Sequence, residues 1–280
     1  MDPDRNQLLI IDAQNDFCDL PPGWCTLDPA TGERLLPALP VAGAHADMLR
    51  LAAFIDARAT DIDAITLTLD SHHRIDIAHP PFWQDATGGA VAPFTPIAAA
   101  QVRDGSFLPR DPSALARVLA YLDALEARGR YGLMVWPEHC RIGSWGHLVH
   151  AAVRAACDRW EARRLRPVQY LFKGDNPWTE HYSALEAEVP DQQDPATLLN
   201  RDLLARLDRS QRIWVAGEAS SHCVKATVEH LLEHLPSGRP GRIEMLSDCM
   251  SPVAGFEPQH QAFLAAMAER GVRQRRSTDT

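Results

Sequence analysis

The sequence is short of positive charge. Its 280 residues carry 28 Lys and Arg against 37 Asp and Glu, a formal net charge of −9. A nucleic-acid binder presents a basic patch, so that class is set aside. The basic clusters are small: Glu161 to Arg166, which reads as a helix end, and Arg273, Arg275 and Arg276 near the C-terminus. No apolar run approaches the ~20 residues needed to span a bilayer, so no membrane segment is expected. The opening MDPDRNQ has no basic stretch followed by an apolar one, so no signal peptide is expected either. Cysteine is sparse, six residues scattered along the chain. That spacing excludes a disulfide framework and fits free thiols in a reducing, cytoplasmic setting. Internal repeats and domain-separating linkers are also missing, so one domain over residues 1–280 is expected. With 45% hydrophobic and 23% charged residues, the composition is that of a globular protein that buries its core without staples.

What is present is an alternation of short apolar runs and longer helical patterns. Leu8–Asp12, Ala64–Leu69, Leu133–Trp136, Val168–Phe172, Arg212–Gly217 and Ile243–Leu246 read as buried strands, and near-continuous apolar strands mark a parallel sheet covered on both faces. Apolar residues three and four apart predict helices over about 44–57 (Met48, Leu49, Ala52, Ile55) and 113–127 (Leu115, Val118, Leu119, Leu122, Leu125). Further helices are expected at about 146–163, 198–207, 223–235 and 258–270. The fold class is therefore α/β, a doubly wound, six-stranded parallel sheet with helices on both faces. Two Pro- and Gly-rich stretches, about 19–41 and 80–110, read as long loop insertions, and loops of that length are often lids or partner surfaces.

In a doubly wound sheet the ligand sits at the carboxyl ends of the strands. Those ends carry Asp12, Asp70, His139 (after WPEHC), Lys173 and, after GEASSH, Cys223. A thiol opening a helix is exposed to unpaired N–H groups and the macrodipole, which predicts a lowered thiol pKa and faster alkylation than at the other five cysteines. Asp12 is a candidate base for the thiol proton, and Lys173 a cation that keeps Asp12 ionised. Asp70 and His72, two apart on a loop, with His79 and His139, make a candidate metal set suited to one divalent transition ion: Zn first, Fe or Mn as alternatives. His73 competes with His72 or His79 for a place in it.

IIDAQNDF, Asp70-x-His72, WPEHC, FKG and the small-residue turn before HCVKAT occur in an order, from Ile10 to Thr227, that resembles the isochorismatase-like cysteine hydrolases, and within them the nicotinamidases. The resemblance implies a six-stranded isochorismatase-like hydrolase fold. It implies a triad of Asp12, Lys173 and Cys223 that cleaves a small-molecule amide, nicotinamide first, through a thioester, releasing ammonia. It implies an oxyanion hole from the N–H groups of Ala219 and Cys223, with a cis peptide at Glu218–Ala219. It implies a metal on Asp70, His72, His79 and His139, aromatic pocket walls at Phe17 and Trp136, and self-association into a homo-oligomer. Three positions depart from the pattern: Ser221 stands where an Asp is usual, Ser71 where an aromatic is usual, and Glu218 puts a charge in the oxyanion turn.

Other readings use the same fold. A hydrolase of N-carbamoyl or other small amides generally lacks the Asp/His metal set. An isochorismatase lacks the nucleophilic cysteine. A non-catalytic metabolite binder has no chemical need of all three triad residues.

Overall fold

The computed structural model describes residues 5–279. Its strands and helices follow in the order β1 (Asn6–Ile11), α1 (Ala44–Ala57), β2 (Ala64–Asp70), β3 (Trp83–Asp85), β4 (Thr95–Ile97), α2 (Ala99–Arg103), β5 (Phe107–Pro109), α3 (Leu115–Arg128), β6 (Leu133–Val135), α4 (Ala151–Arg164), β7 (Gln169–Lys173), α5 (Arg201–Asp208), β8 (Arg212–Gly217), α6 (Cys223–His234), β9 (Ile243–Leu246), α7 (Glu257–Glu269) and β10 (Arg273–Arg275). Among the described residues no helix is long and apolar enough to cross a membrane.

Six strands form one parallel sheet in the order β10-β9-β8-β1-β2-β7. From β1 the chain moves outward through β2 to β7, then returns to the other side of β1 and moves outward again through β8, β9 and β10. Right-handed crossovers in two opposite directions send the connecting helices to opposite faces, so the sheet is doubly wound as expected. The reversal lies between β1 and β8, and this switch point is where such folds open a crevice. Leu8–Ile11, Ile65, Leu67 and Ile213–Ala216 line the central strands and are shut off from solvent. They are buried because both sheet faces are covered.

Three expectations need correction. The apolar run at 133–136 does not join the main sheet. It forms β6, antiparallel to β4, in a small two-stranded unit. The sixth strand is instead the arginine-rich β10, an edge strand paired only with β9, and Arg273 and Arg275 reach back to the buried Glu244. Residues 80–110 are not simply a loop but contain β3, β4, α2 and β5, pieces too short to leave a period in the sequence. With α3 and β6 they enclose a second apolar cluster, in which Trp83, Ile97, Val118, Leu122, Leu125 and Val135 are buried. The helix faces also shift slightly: Leu49 is exposed where Leu51 and Phe54 are buried, and Leu115 yields its place to Tyr121.

Candidate active site

Each residue of the site stands at a strand end. Asp12 follows β1 directly, Asp70 ends β2, Lys173 ends β7, and Cys223 opens α6 six residues after β8. The register Asp70↔Lys173 and Ile11↔Gly217 aligns these ends along one rim. Two glycines allow the close approach. A Cβ on Gly217, whose φ is 122°, would lie 1.9 Å from the Ile11 carbonyl oxygen. A Cβ on Gly174 (φ 84°) would lie 2.9 Å from Asp70 Oδ1. These are positions where only glycine fits.

The triad meets. Lys173 Nζ, buried to 1%, is 2.8 Å from Asp12 Oδ2, 3.1 Å from Asp70 Oδ1 and 3.6 Å from Cys223 Sγ. It also donates to the His181 carbonyl at 3.0 Å. Asp12 has a left-handed backbone, φ 44°, a conformation rare for a branched polar residue and typical of functional positions. Thr68 holds it there: its hydroxyl accepts from the Asp12 N–H at 3.0 Å and donates to Asp12 Oδ1 at 2.5 Å. Burial would lower the Lys173 ammonium, but Asp12 and Asp70 hold it well above its usual value. Burial pushes the Asp12 carboxyl up against the pull of Lys173, which makes it a better proton acceptor than an ordinary carboxylate.

The Cys223 thiol is where the sequence expectation fails. Burial pushes its pKa well up; Lys173 pulls it down, and Asp12 and Asp70 push it up again. These effects run against the lowered value that a helix N-terminus alone would give, and the sulfur accepts from Lys173 Nζ at 3.6 Å. The peptide Glu218–Ala219 is cis. Neither the Ala219 nor the Cys223 N–H has a partner among the hydrogen bonds of the described residues, so both remain free to receive an anion beside the sulfur. The Glu218 side chain is held by Ser251. Its Oε2 accepts from the Ser251 N–H at 3.0 Å, and burial with Asp47 nearby holds it well above the usual carboxyl range. Ser221 accepts from the Val253 N–H at 3.1 Å and contacts His222 Nδ1 at 2.9 Å, fixing the pocket wall.

The four candidate metal ligands also converge. His72, His79 and His139 are buried and place one nitrogen each within 4.8 Å of the others. Asp70 Oδ2 lies 3.0 Å from His72 Nε2 and 3.3 Å from His139 Nε2. The tautomers suit a cation. Each Nδ1 faces an oxygen: Asp76 Oδ2 at 3.0 Å for His72, the His73 carbonyl at 3.2 Å for His79, and the Pro137 carbonyl at 2.8 Å for His139. A proton on each Nδ1 would turn each Nε2 toward an ion, which would displace the contacts that His79 Nε2 makes with His139 Nδ1 at 3.2 Å and the His139 N–H at 3.4 Å. Burial, with His139 and His72 beside it, lowers His79 to about 2, so its imidazole is neutral and available. Burial alone would lower His72, but Asp70 and Asp76 hold it well above its usual value, a charge that an ion would replace. Three imidazoles and a carboxylate fit one divalent transition ion. His73 stays out of the set: its side chain is 54% exposed and its Nε2 pairs with Asp175 at 3.1 Å.

Phe17, Trp136, Leu39, Tyr182, His222 and Val253 close a narrow pocket over Cys223, Ala219 and the histidines. Phe17 stands edge-on to His139 and Trp136 edge-on to His222. A cavity of about 330 Å³ shares Trp136, Tyr182 and His222 with the pocket and is also lined by Pro96, Tyr131, Lys225 and Phe256. The sequence reading missed the residues that brace the site. Gln14 accepts from the Asp70 N–H at 2.8 Å and donates to its carbonyl at 2.9 Å. Asp16 accepts from Ala38 N at 3.0 Å and Cys140 N at 2.7 Å. The QND within IIDAQNDF was the available signal for both. Asp76 and Glu180, in irregular segments, carried none.

The sequence matches no family model and no curated protein. Solved structures do match. A yeast nicotinamidase bound to the inhibitor nicotinaldehyde is 16% identical with a TM-score of 0.64, covering 97% of this chain and 99% of its own. A nicotinamidase/pyrazinamidase of Acinetobacter baumanii is 18% identical with a TM-score of 0.61, covering 100% and 99%. A Pyrococcus horikoshii pyrazinamidase in complex with zinc is 17% identical with a TM-score of 0.55, covering 97% and 99%. The chain has the fold of these nicotinamidase and pyrazinamidase structures.

Proposed function

We propose that this chain is a metal-assisted cysteine amidohydrolase that converts a small aromatic carboxamide, nicotinamide first, to its acid and ammonia. The observation that carries this reading is the meeting of Asp12, Lys173 and Cys223, within 3.6 Å of one ammonium, beside a three-histidine cluster. The zinc of the Pyrococcus structure and the nicotinaldehyde of the yeast structure support the choice of cofactor and substrate class.

As the Cys223 sulfur attacks the amide carbon, Asp12 takes the thiol proton. A thiol held neutral until substrate arrives needs such a base, and a carboxylate raised by burial provides one. The N–H groups of Ala219 and Cys223 receive the negative charge on the carbonyl oxygen. The proton on Asp12 passes to the departing nitrogen, and ammonia leaves a thioester on Cys223. Asp12 then activates the water that hydrolyses the thioester, and the sulfur recovers its proton. Lys173 stays charged throughout and offsets the anion as it moves among Asp12, sulfur and oxygen. A divalent ion on Asp70, His72, His79 and His139 would supply a positive anchor for a heteroaromatic nitrogen.

The test is ammonia release from nicotinamide and a panel of small aromatic, aliphatic and N-carbamoyl amides. Turnover that disappears in Cys223→Ala, and falls with chelator, supports the reading. No turnover of any amide by the parent chain overturns it.

A further inference from the structure

Glu180 lines the same narrow pocket as Asp70, His72 and His139, yet the triad does not use it and the ligand set does not include it. Only 4% of it is exposed. One of its oxygens is accounted for. Trp136 Nε1 donates to the Tyr182 hydroxyl at 3.1 Å, and that hydroxyl passes its own hydrogen to the Glu180 carboxylate. The other, Oε1, is buried with no partner among the described residues. Burial raises this carboxyl to about 8, and a buried carboxyl oxygen without a partner costs on the order of 1–3 kcal/mol, so a partner from outside the chain is called for.

The surroundings of Glu180 point to which partner. The charged groups that act on it most strongly are His72, Asp76 and Asp70, on the histidine side of the pocket; Cys223 and Lys173 are not among them. Its oxygens nonetheless stay outside the group of donor atoms that lie within 4.8 Å of one another, which contains only His72, His79 and His139. Unlike Asp70, whose Oδ2 lies 3.0 Å from His72 Nε2 and 3.3 Å from His139 Nε2, Glu180 makes no ion pair with a histidine of the cluster among the described residues. Three imidazoles and one carboxylate leave open positions on a Zn, Fe or Mn ion, and water fills them. Such water is a strong hydrogen-bond donor and needs an acceptor.

We propose that Glu180 is the outer acceptor of the metal centre: its Oε1 takes a hydrogen bond from water carried by the ion, and it is not itself a ligand. The proposal rests on the reading of Asp70, His72, His79 and His139 as a metal site. It makes Glu180 a positioning residue that ties the ion's water, through Tyr182, to the aromatic wall at Trp136.

Cobalt(II) provides the test, because its visible spectrum reports coordination without reference to turnover. Chelator-stripped protein is titrated with Co²⁺ against a competing chelator, and the affinity and the absorption bands are both recorded. Glu180→Gln keeps the shape and still accepts from Tyr182, so a merely structural role would leave the affinity unchanged. The expected result is affinity about 10–100-fold weaker with unshifted bands, the usual effect of losing an outer-shell partner. Glu180→Asp, which withdraws the carboxylate by one methylene, should weaken binding in the same sense. Unchanged affinity in both variants overturns the proposal. Bands altered by Glu180→Gln would make Glu180 a ligand and overturn it too. A parent chain that binds no cobalt overturns the metal-site reading itself, a failure seen before any variant is compared.

Discussion

Replacing Lys173 by Met removes a buried positive charge while keeping most of the side-chain volume. In the structure that ammonium lies 2.8 Å from one carboxylate and 3.1 Å from another, and all three groups are buried. Breaking a buried ion pair by deleting one partner costs about 3–5 kcal/mol, because the remaining charge stays out of water. Here two carboxylates lose their cation and the His181 carbonyl loses its donor at 3.0 Å, worth about 1 kcal/mol more, so the upper end of that range is expected. The loss should depend on pH. Without Lys173 the Asp12 carboxyl, already raised by burial, rises further. A raised carboxyl contributes stability in its neutral form, below its unfolded pKa, and loses it as pH climbs through the folded value. The variant is therefore most impaired at alkaline pH and partly relieved in acid. Adding Asp12→Asn turns the pair into neutral isosteres and should restore at least ~2 kcal/mol at pH 7, a coupling that a double-mutant cycle isolates. The assay is urea unfolding of the parent, both single variants and the double variant, with chelator present throughout. A loss under about 1 kcal/mol for Lys173→Met, or a double variant no more stable than the sum of the singles, would refute the electrostatic account of the triad.

Other outcomes follow from the same reasoning. Glu188 is 2% exposed, and burial, against the pull of Arg130 and Arg128, raises it from 4.5 to about 7. At about 1.4 kcal/mol per tenfold in proton affinity, ionised Glu188 costs on the order of 3 kcal/mol. Its contribution is intact below pH 4.5 and lost as pH rises through about 7, so Glu188→Gln should gain on the parent between pH 5 and pH 8 in urea unfolding; a pH-independent difference would contradict this. His139→Ala should lose bound metal and His73→Ala should keep it, as read by metal content after dialysis; the reverse pattern would replace His139 by His73 in the ligand set. Gly217→Ala, with its Cβ 1.9 Å from the Ile11 carbonyl oxygen, should cost about 3 kcal/mol or more in thermal unfolding. Gly129→Ala, at φ 65° with open space around it, should cost only about 1–2; equal losses would mean the β1–β8 contact is not the constraint.

The central sheet and the meeting of Asp12, Lys173 and Cys223 were legible because buried parallel strands announce themselves as apolar runs, and doubly wound folds gather side chains at strand ends. Asp12, Asp70 and Lys173 each stand where such a run stops, and Cys223 follows the small-residue turn after one. Other features were hidden for definite reasons. The RQR of β10 is an edge strand whose side chains face a buried glutamate and water, so it has no apolar signature. The β6 run is apolar because it seals the second cluster, and periodicity cannot say which core a strand serves. The thiol was misjudged because a helix N-terminus is visible in sequence, whereas two carboxylates and near-complete burial around the sulfur are not. Glu180 lies between Lys173 and α5 in a stretch without regular structure, where an acid reads as surface until coordinates place it in the pocket.

The buried members of the second apolar cluster all come from residues 77–135 and none belongs to the main core; Trp178 and Val189 pack against this second cluster. Its Leu133, with Pro96 of β4, lines the outer cavity beside Trp136, His222 and Lys225. Energetic effects at distant, separately packed sites add with little coupling. The vestibule can therefore be recut by exchanges among small hairpins, without disturbing the geometry around sulfur. Tolerance to change and intolerance of change share one cavity.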